Sequence, residues 1–213
     1  MFHATRLKRA SRASPFDMGK LVSVIGNVAS GKTTLTRILA EQSRFVPYYE
    51  QHEGMLFQSL FAENPQKYGL PNQVDYFLFR ANQEHIIRSV DQVGLTDGGL
   101  DLDFYLFARL FHQKGYLDAH EFALCERLYT TLRAALPAPD VVIHLQAPLI
   151  LLEERWRQRA TKIDAEISTI SDLPVLQVFL DEYLKNIEPQ RIINVNAAEE
   201  VQVAELTLLL EKL

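Results

Sequence analysis

Eight consecutive residues, Gly26-Asn27-Val28-Ala29-Ser30-Gly31-Lys32-Thr33, constrain this chain more than any other feature. They fit the pattern G-x-x-x-x-G-K-[ST] at every fixed position. The glycines let the backbone curl so that successive N–H groups point inward at phosphate oxygens. The helix expected to follow adds free N–H groups and the positive end of its dipole. Lys32 sets a point charge against the β- and γ-phosphates, and the Thr33 hydroxyl is a ligand for Mg²⁺. Thr34 extends the loop into the helix. The pattern is specific only between a strand and a helix. Residues 21–25 supply an apolar β-rich run before it, and residues 32–42 place Leu35, Ile38 and Leu39 at helical spacing after it. The chain is therefore expected to bind a nucleoside triphosphate with Mg²⁺.

The rest of the chain alternates strands and helices. Strands are expected at 45–49, 93–96, 141–145 and 191–195. Helices are expected at 53–63, 73–90, 100–113, 119–136, 148–159, 174–186 and 199–213, with an irregular polar stretch at 160–172. Such alternation predicts an α/β fold with a five-stranded parallel sheet and helices on both faces. Ligands of such sheets sit at the C-terminal strand ends. The 213 residues suit one domain.

Charge and composition exclude several partners. The net charge of -5 is unfavourable for a nucleic-acid polymer. No apolar run is long enough to span a membrane, and the single cysteine, Cys125, rules out an internal disulfide and fits a cytoplasmic protein. Cys125 reads as a small buried apolar residue. The six histidines lack metal-ligand spacing, and His52 and His85 read as surface or packing residues. Phe104, Tyr105, Phe107 and Phe111 read as core. Residues 1–17 carry Arg6, Lys8, Arg9 and Arg12 with no acid before Asp17. They are expected to form a flexible basic arm ahead of a domain spanning 18–213; a transit peptide has the same composition.

Beyond the phosphate loop, the chain resembles the deoxynucleoside kinase family over roughly Val22 to Val195. The loop Gly-Asn-Val-Ala-Ser-Gly-Lys-Thr-Thr is similar to that family's. Residues 61–68, with Asn64-Pro65 and Tyr68, resemble its Asp-Pro-x-x-Tyr stretch. Counting back places Glu50 at the family's carboxylate after the second strand, although Gln51-His52 replaces the family's Pro-Val. The resemblance makes Glu50 the base on the acceptor hydroxyl, with Glu53 in reserve. Gln73, Arg80 and Gln83 match the family's Gln, Arg and Gln in spacing, and Asp97 and Asp103 match its two acids. This implies that Gln73, Arg80, Gln83 and Asp103 hold the acceptor base and that Asp97 joins Thr33 at the metal. The family's arginine between the acids is replaced by Gly98-Gly99. Arg155 and Arg159 match arginines of a short lid that closes over the phosphates, and a further lid arginine falls at Thr161.

The resemblance implies a P-loop kinase that moves a phosphoryl group from ATP-Mg to the 5′-hydroxyl of a nucleoside or deoxynucleoside. Lys32, Glu50, Arg155 and Arg159 would be its catalytic residues, and a homodimer its assembly. Two other expectations stay open. The acceptor could be a nucleoside monophosphate or a modified nucleoside, since a glycine at 98 frees space. Alternatively, the protein binds nucleotide with little transfer.

Overall fold

The strand ahead of the phosphate loop, β1 (Lys20–Gly26), is buried along six of its seven residues, as only a strand covered on both faces can be. The computed structural model describes residues 19–42, 45–49, 55–159, 168–199 and 201–213, excluding the side chains of Gln42 and Arg159. The expected arm at 1–17 and the irregular residues 160–167 next to the expected lid lie outside this set. In the five-stranded sheet β1 lies between β3 (Val93–Asp97) and β4 (Val141–Gln146). Beyond β3 sits the edge strand β2 (Val46–Tyr48), and beyond β4 sits β5 (Ile192–Asn196). All pairings are parallel. Pro47 sits in β2, an edge strand, where its missing N–H costs no ladder bond on the open side.

The alternation of side chains along each strand divides the core in two. Val22 and Val24 of β1, with Ile143 and Leu145 of β4, face one side. There they pack on Leu35 and Leu39 of α1 (Lys32–Gln42) and on Leu206 and Leu210 of a C-terminal helix. Ile25 and Val142 face the other side. This larger cluster takes in Phe61 of α2 (Gln58–Glu63), Phe77 of α3 (Pro65–Arg88), and Leu100 and Leu102 of α4 (Leu100–Leu102). α4 continues without a break through a π-helical turn, Asp103–Ala108, into α5 (Arg109–Gln113). Among the described residues the remaining α-helices are α6 (Ala119–Ala135), α7 (Leu149–Arg159), α8 (Leu173–Leu184) and α9 (Val203–Leu210). None of the described helices is long and apolar enough to cross a membrane. Cys125 is fully buried, and burial pushes its thiol up to about 12, in keeping with a packing role. His85 is exposed.

Several elements depart from the periodicity. The helix expected over 73–90 begins at Pro65. Pro71 argues locally for a break, but it removes only one ladder bond. The Asn64 side chain caps the earlier start by accepting from Lys67 N, with Pro65 in the first turn. The helix expected over 53–63 begins only at Gln58, because Leu56 N is drawn away to the Asp75 carboxylate at 2.9 Å. The closing helix begins at Val203 rather than 199, since Asn196 and Glu199 side chains bond each other in a turn before it. The π-helical turn has no signature in the hydrophobic pattern.

One ion cluster fixes the start of the sheet. Asp140, just before β4, accepts from Leu21 N at 2.9 Å and pairs with Arg88 at the end of α3 and with Lys20. Burial pushes the carboxyl up, but Leu21 N–H, then Arg88 and Lys20, outweigh it, and its pKa lies below the ordinary value. A depressed folded pKa stabilises above the unfolded value and loses that contribution as pH falls through the folded one. Asp140→Asn is expected to lower unfolding free energy by about 1–3 kcal/mol at neutral pH. Denaturant titrations of both proteins should show the gap closing below about pH 4.

Candidate active site

The phosphate loop is built as the sequence requires. Gly26 leaves β1 with a positive φ, and a Cβ there would lie 2.6 Å from Ser30 Oγ and 2.9 Å from the Leu145 carbonyl. Ala29 takes the left-handed conformation at φ 63, which turns the loop's amides inward. Lys32 Nζ is held over the loop by the carbonyls of Gly26 and Asn27, at 3.2 and 3.0 Å. Val28 packs against the larger core, and Thr34 is exposed at the start of α1. Asn27 is 1% exposed, and its amide is turned away from the loop's concave side. Asn27 Nδ2 donates to the Leu173 carbonyl and to Gln177 Oε1, which anchors the loop on α8. Asn27 belongs to the expected nucleotide-binding loop, and its side chain holds that loop in shape.

At the mouth of β1 and β3 the Thr33 hydroxyl donates to Asp97 Oδ2 at 2.5 Å. A hydroxyl and a carboxylate oxygen that close form a hard-oxygen donor set of the kind Mg²⁺ prefers. Arg155, on α7, lies across the loop and donates from Nη1 to the Ser30 carbonyl at 3.0 Å and from Nη2 to the Ala197 carbonyl at 2.8 Å. Beside it opens a cavity of about 570 Å³, bordered by Ser30, Thr34, Ile38, Gln158, Glu199 and Val201. Glu199 and Val201 have no signal in the sequence motifs, because only the return of the chain after β5 brings them to the loop, whereas Gln158 arrives on α7 with Arg155. Arg159 ends α7, and its side chain lies outside the described residues, as do Glu50, the expected base, its reserve Glu53, and His52.

Four residues expected at the acceptor meet in one buried cluster. Arg80 Nε pairs with Asp103 Oδ2 at 3.1 Å, with the two residues 2% and 4% exposed. Arg80 Nη1 donates to Gln83 Oε1 at 3.2 Å, Gln83 Nε2 to the Tyr49 carbonyl at 2.9 Å, and Gln73 Nε2 to the Asp103 carbonyl at 3.0 Å. The cluster thus ties α3 both to the end of β2 and to the turn after α4. Two turns of α3 separate Gln73 from Arg80, which puts them on one face, as spacing predicts. The π-helical turn begins at Asp103 itself; such widened turns recur at functional sites.

Gly98 also belongs to this site. It has φ +78, Ser23 Oγ donates to its carbonyl at 2.8 Å, and a Cβ on it would lie 3.3 Å from Arg80 Nη2. A side chain at 98 would start in close contact with the guanidinium.

A nucleotide-binding loop on the middle strand of a parallel sheet, with a buried polar cluster across the same mouth, defines a P-loop phosphotransferase. The family model for deoxynucleoside kinases matches residues 22–204, and the chain belongs to that family. It is 25% identical to a deoxyadenosine kinase of Dictyostelium discoideum over 194 residues, covering 91% of this chain and 78% of that one. It is 24% identical to a deoxyadenosine/deoxycytidine kinase of Bacillus subtilis over 185 residues, covering 76% and 83%. The fold matches a deoxyadenosine kinase structure from M. mycoides, with products dCMP and a flexible dCDP bound, at TM-score 0.76 and 16% identity, covering 91% of this chain and 100% of that one.

Filling position 98 should damage the acceptor side alone. Gly98→Arg is expected to reduce kcat/KM for the acceptor at least about ten-fold, or about 1.4 kcal/mol, through backbone strain and displacement of Arg80. The KM for ATP should stay within about two-fold, and steady-state kinetics with each substrate varied in turn checks both.

Proposed function

We infer that this protein transfers the γ-phosphoryl group of ATP to the 5′-hydroxyl of a deoxynucleoside. Membership of the deoxynucleoside kinase family carries the reaction class. The buried Gln73–Arg80–Gln83–Asp103 cluster beside the phosphate loop carries the assignment of the acceptor end. Deoxyadenosine is the first candidate acceptor, since two of the relatives are named for it.

Each part of the site has a role in this reaction. The loop amides and Lys32 orient the triphosphate and offset its charge. Thr33 and Asp97 would hold Mg²⁺, which when bound neutralises charge on the β- and γ-oxygens. Arg155, which donates to the Ser30 carbonyl of the loop, would stabilise charge on the phosphates, with Arg159 acting beside it. Glu50 follows Tyr49, whose carbonyl Gln83 anchors, and would accept the hydroxyl proton. As the new O5′–P bond forms and the bond to the β-phosphate bridging oxygen breaks, that proton passes to the Glu50 carboxylate. Asp103 fixes the Arg80 guanidinium, and with Gln73 the pair offers donors and acceptors to a base edge. Catalysis comes from positioning and charge rather than a covalent intermediate.

The family likeness also favours a homodimer. Leu78 and Ile86 on α3 and Leu124 on the adjoining α6 are exposed and available to it. Sedimentation equilibrium should then return twice the chain mass, and a monomer at micromolar concentration would count against it.

ADP release with ATP and Mg²⁺ is the decisive assay, run against each deoxynucleoside and deoxynucleoside monophosphate. Turnover with a deoxynucleoside is expected, and Lys32→Ala should reduce it by about a thousand-fold or more. Nucleotide binding without turnover on any acceptor would overturn the assignment in favour of a binding scaffold. Turnover on monophosphates alone would replace the acceptor.

A further inference from the structure

A second set of buried charges lies beside the acceptor cluster, and none of its members takes part in phosphoryl transfer. Glu84 on α3 and Asp101 on α4 are 3% and 7% exposed. One cation from α6, Arg133, faces both. Its Nη1 and Nη2 donate to the two carboxylate oxygens of Glu84 at 2.9 and 3.0 Å, the two-point fork that fixes orientation as well as distance. Its Nε stands 3.0 Å from Asp101 Oδ1 but off the N–H axis, so that contact is an ion pair without a hydrogen bond. Asp101 takes its hydrogen bonds from two tyrosines instead. Tyr129 donates to Oδ1 at 2.8 Å and Tyr183 to Oδ2 at 3.1 Å. Burial, then the Asp101 charge, pushes both hydroxyls well above their usual range, which keeps them protonated and donating. Burial also pushes the Glu84 carboxyl up, against the pull of Arg133.

Stability alone is a poor reason for such a set. Desolvating three charges costs several kcal/mol per ion on the order-of-magnitude scale, and apolar residues of the same volume commonly do as well or better. Its placement is more telling. Glu84 is the neighbour of Gln83 and sits one helical turn beyond Arg80. Asp101 is two residues before Asp103. The tyrosines that donate to Asp101 also hold the residues just after Asp103. The Tyr129 ring stacks on Phe104 with centroids 4.3 Å apart, and the Tyr183 ring lies 4.9 Å from that of Tyr105. One carboxylate thus orients both rings that grip the start of the π-helical turn, while Arg133 ties that carboxylate to α3.

We propose that Arg133 and Asp101, through Tyr129 and Tyr183, are positioning residues for the acceptor: they lock α3 against the π-helical turn so that Arg80 and Asp103 present a fixed edge to the nucleobase. This rests on the deoxynucleoside reading above. The Arg80–Asp103 bridge joins α3 to the start of the turn, and Arg133 joins α3 to α4 just before it, through its fork to Glu84 and its ion pair with Asp101. A shift between α3 and the turn would misplace both halves of the base-reading pair together.

Tyr183→Phe and Arg133→Lys test this, with KM for deoxynucleoside and for ATP, kcat and Tm measured on each. Tyr183→Phe deletes one hydroxyl and keeps the ring, so it carries the test even where Arg133→Lys does not fold. Each variant is expected to raise the deoxynucleoside KM about ten-fold, the scale of loss that a small misplacement brings. The ATP KM should stay within about two-fold. A merely structural role would lower Tm and the active fraction, and hence kcat, with both KM values unchanged; that result overturns the proposal. A wild type that phosphorylates no deoxynucleoside would overturn the functional assignment first and this inference with it. Normal wild-type turnover with unaltered KM in the variants removes this inference alone.

Discussion

The site depends on one constraint: β1 must be buried on both faces with a parallel strand on either side. In that position its C-terminal end opens at the same edge as the ends of its neighbours. The phosphate loop leaves β1 at Gly26, Asp97 and Gly98 end β3, and Tyr49 follows β2 at the adjacent edge. Parallel pairing leaves no other arrangement, because every strand then points its last residue the same way. Three segments far apart in sequence are thereby delivered to one mouth. The helices at the two faces are then placed differently at that mouth, α1 following the phosphate loop and α3 joining the buried Arg80–Asp103 cluster at the π-helical turn.

Charge inside this molecule is concentrated where geometry matters. Arg80–Asp103 and the Arg133 set are almost out of solvent, where removing one partner strands the other and costs about 3–5 kcal/mol. The pairs Arg37–Glu41 and Arg157–Glu153 lie on helix surfaces, where such contacts contribute about 0–1 kcal/mol. Both kinds read alike in sequence, as polar residues at helical spacing. Depth alone separates them. The buried pairs also fix direction: a guanidinium held at Nε by Asp103 and at Nη1 by Gln83 cannot rotate without breaking a bond in a low-dielectric setting.

Much of the fold is legible in the sequence. The phosphate loop could be read at every residue because phosphate binding demands backbone curvature, a cation and a hydroxyl at set distances along the chain. The central strands β1 and β4 could be read because burial on both faces favours apolar runs. Thr33 and Asp97 were expected together and are in contact, as are Arg80 and Asp103. The rest was not legible for particular reasons. The helix expected from 73 starts earlier, since the cap at Asn64 begins α3 well ahead of Pro71 and the helix runs through it. The inward side chain of Asn27, bonded to Leu173 and Gln177, has no signal in the loop motif. The π-helical turn leaves no trace in hydrophobic spacing, since it is set by how Phe104 and Tyr105 pack on Tyr129 and Tyr183.

What the sequence by itself determined was the class of fold, the nucleotide loop and the residue types of the Gln73–Arg80–Gln83–Asp103 cluster. Each of these is written in short-range spacing, which the periods of helix and strand convert directly into position. Only the tertiary structure decided that Arg80 fills the space beside Gly98, that Glu199 and Val201 border the cavity at the loop, and that Arg133 joins Glu84 to Asp101. These relations join residues whose separation along the chain carries no information about their distance. They exist because the sheet order and the packing of helices on its two faces bring them together.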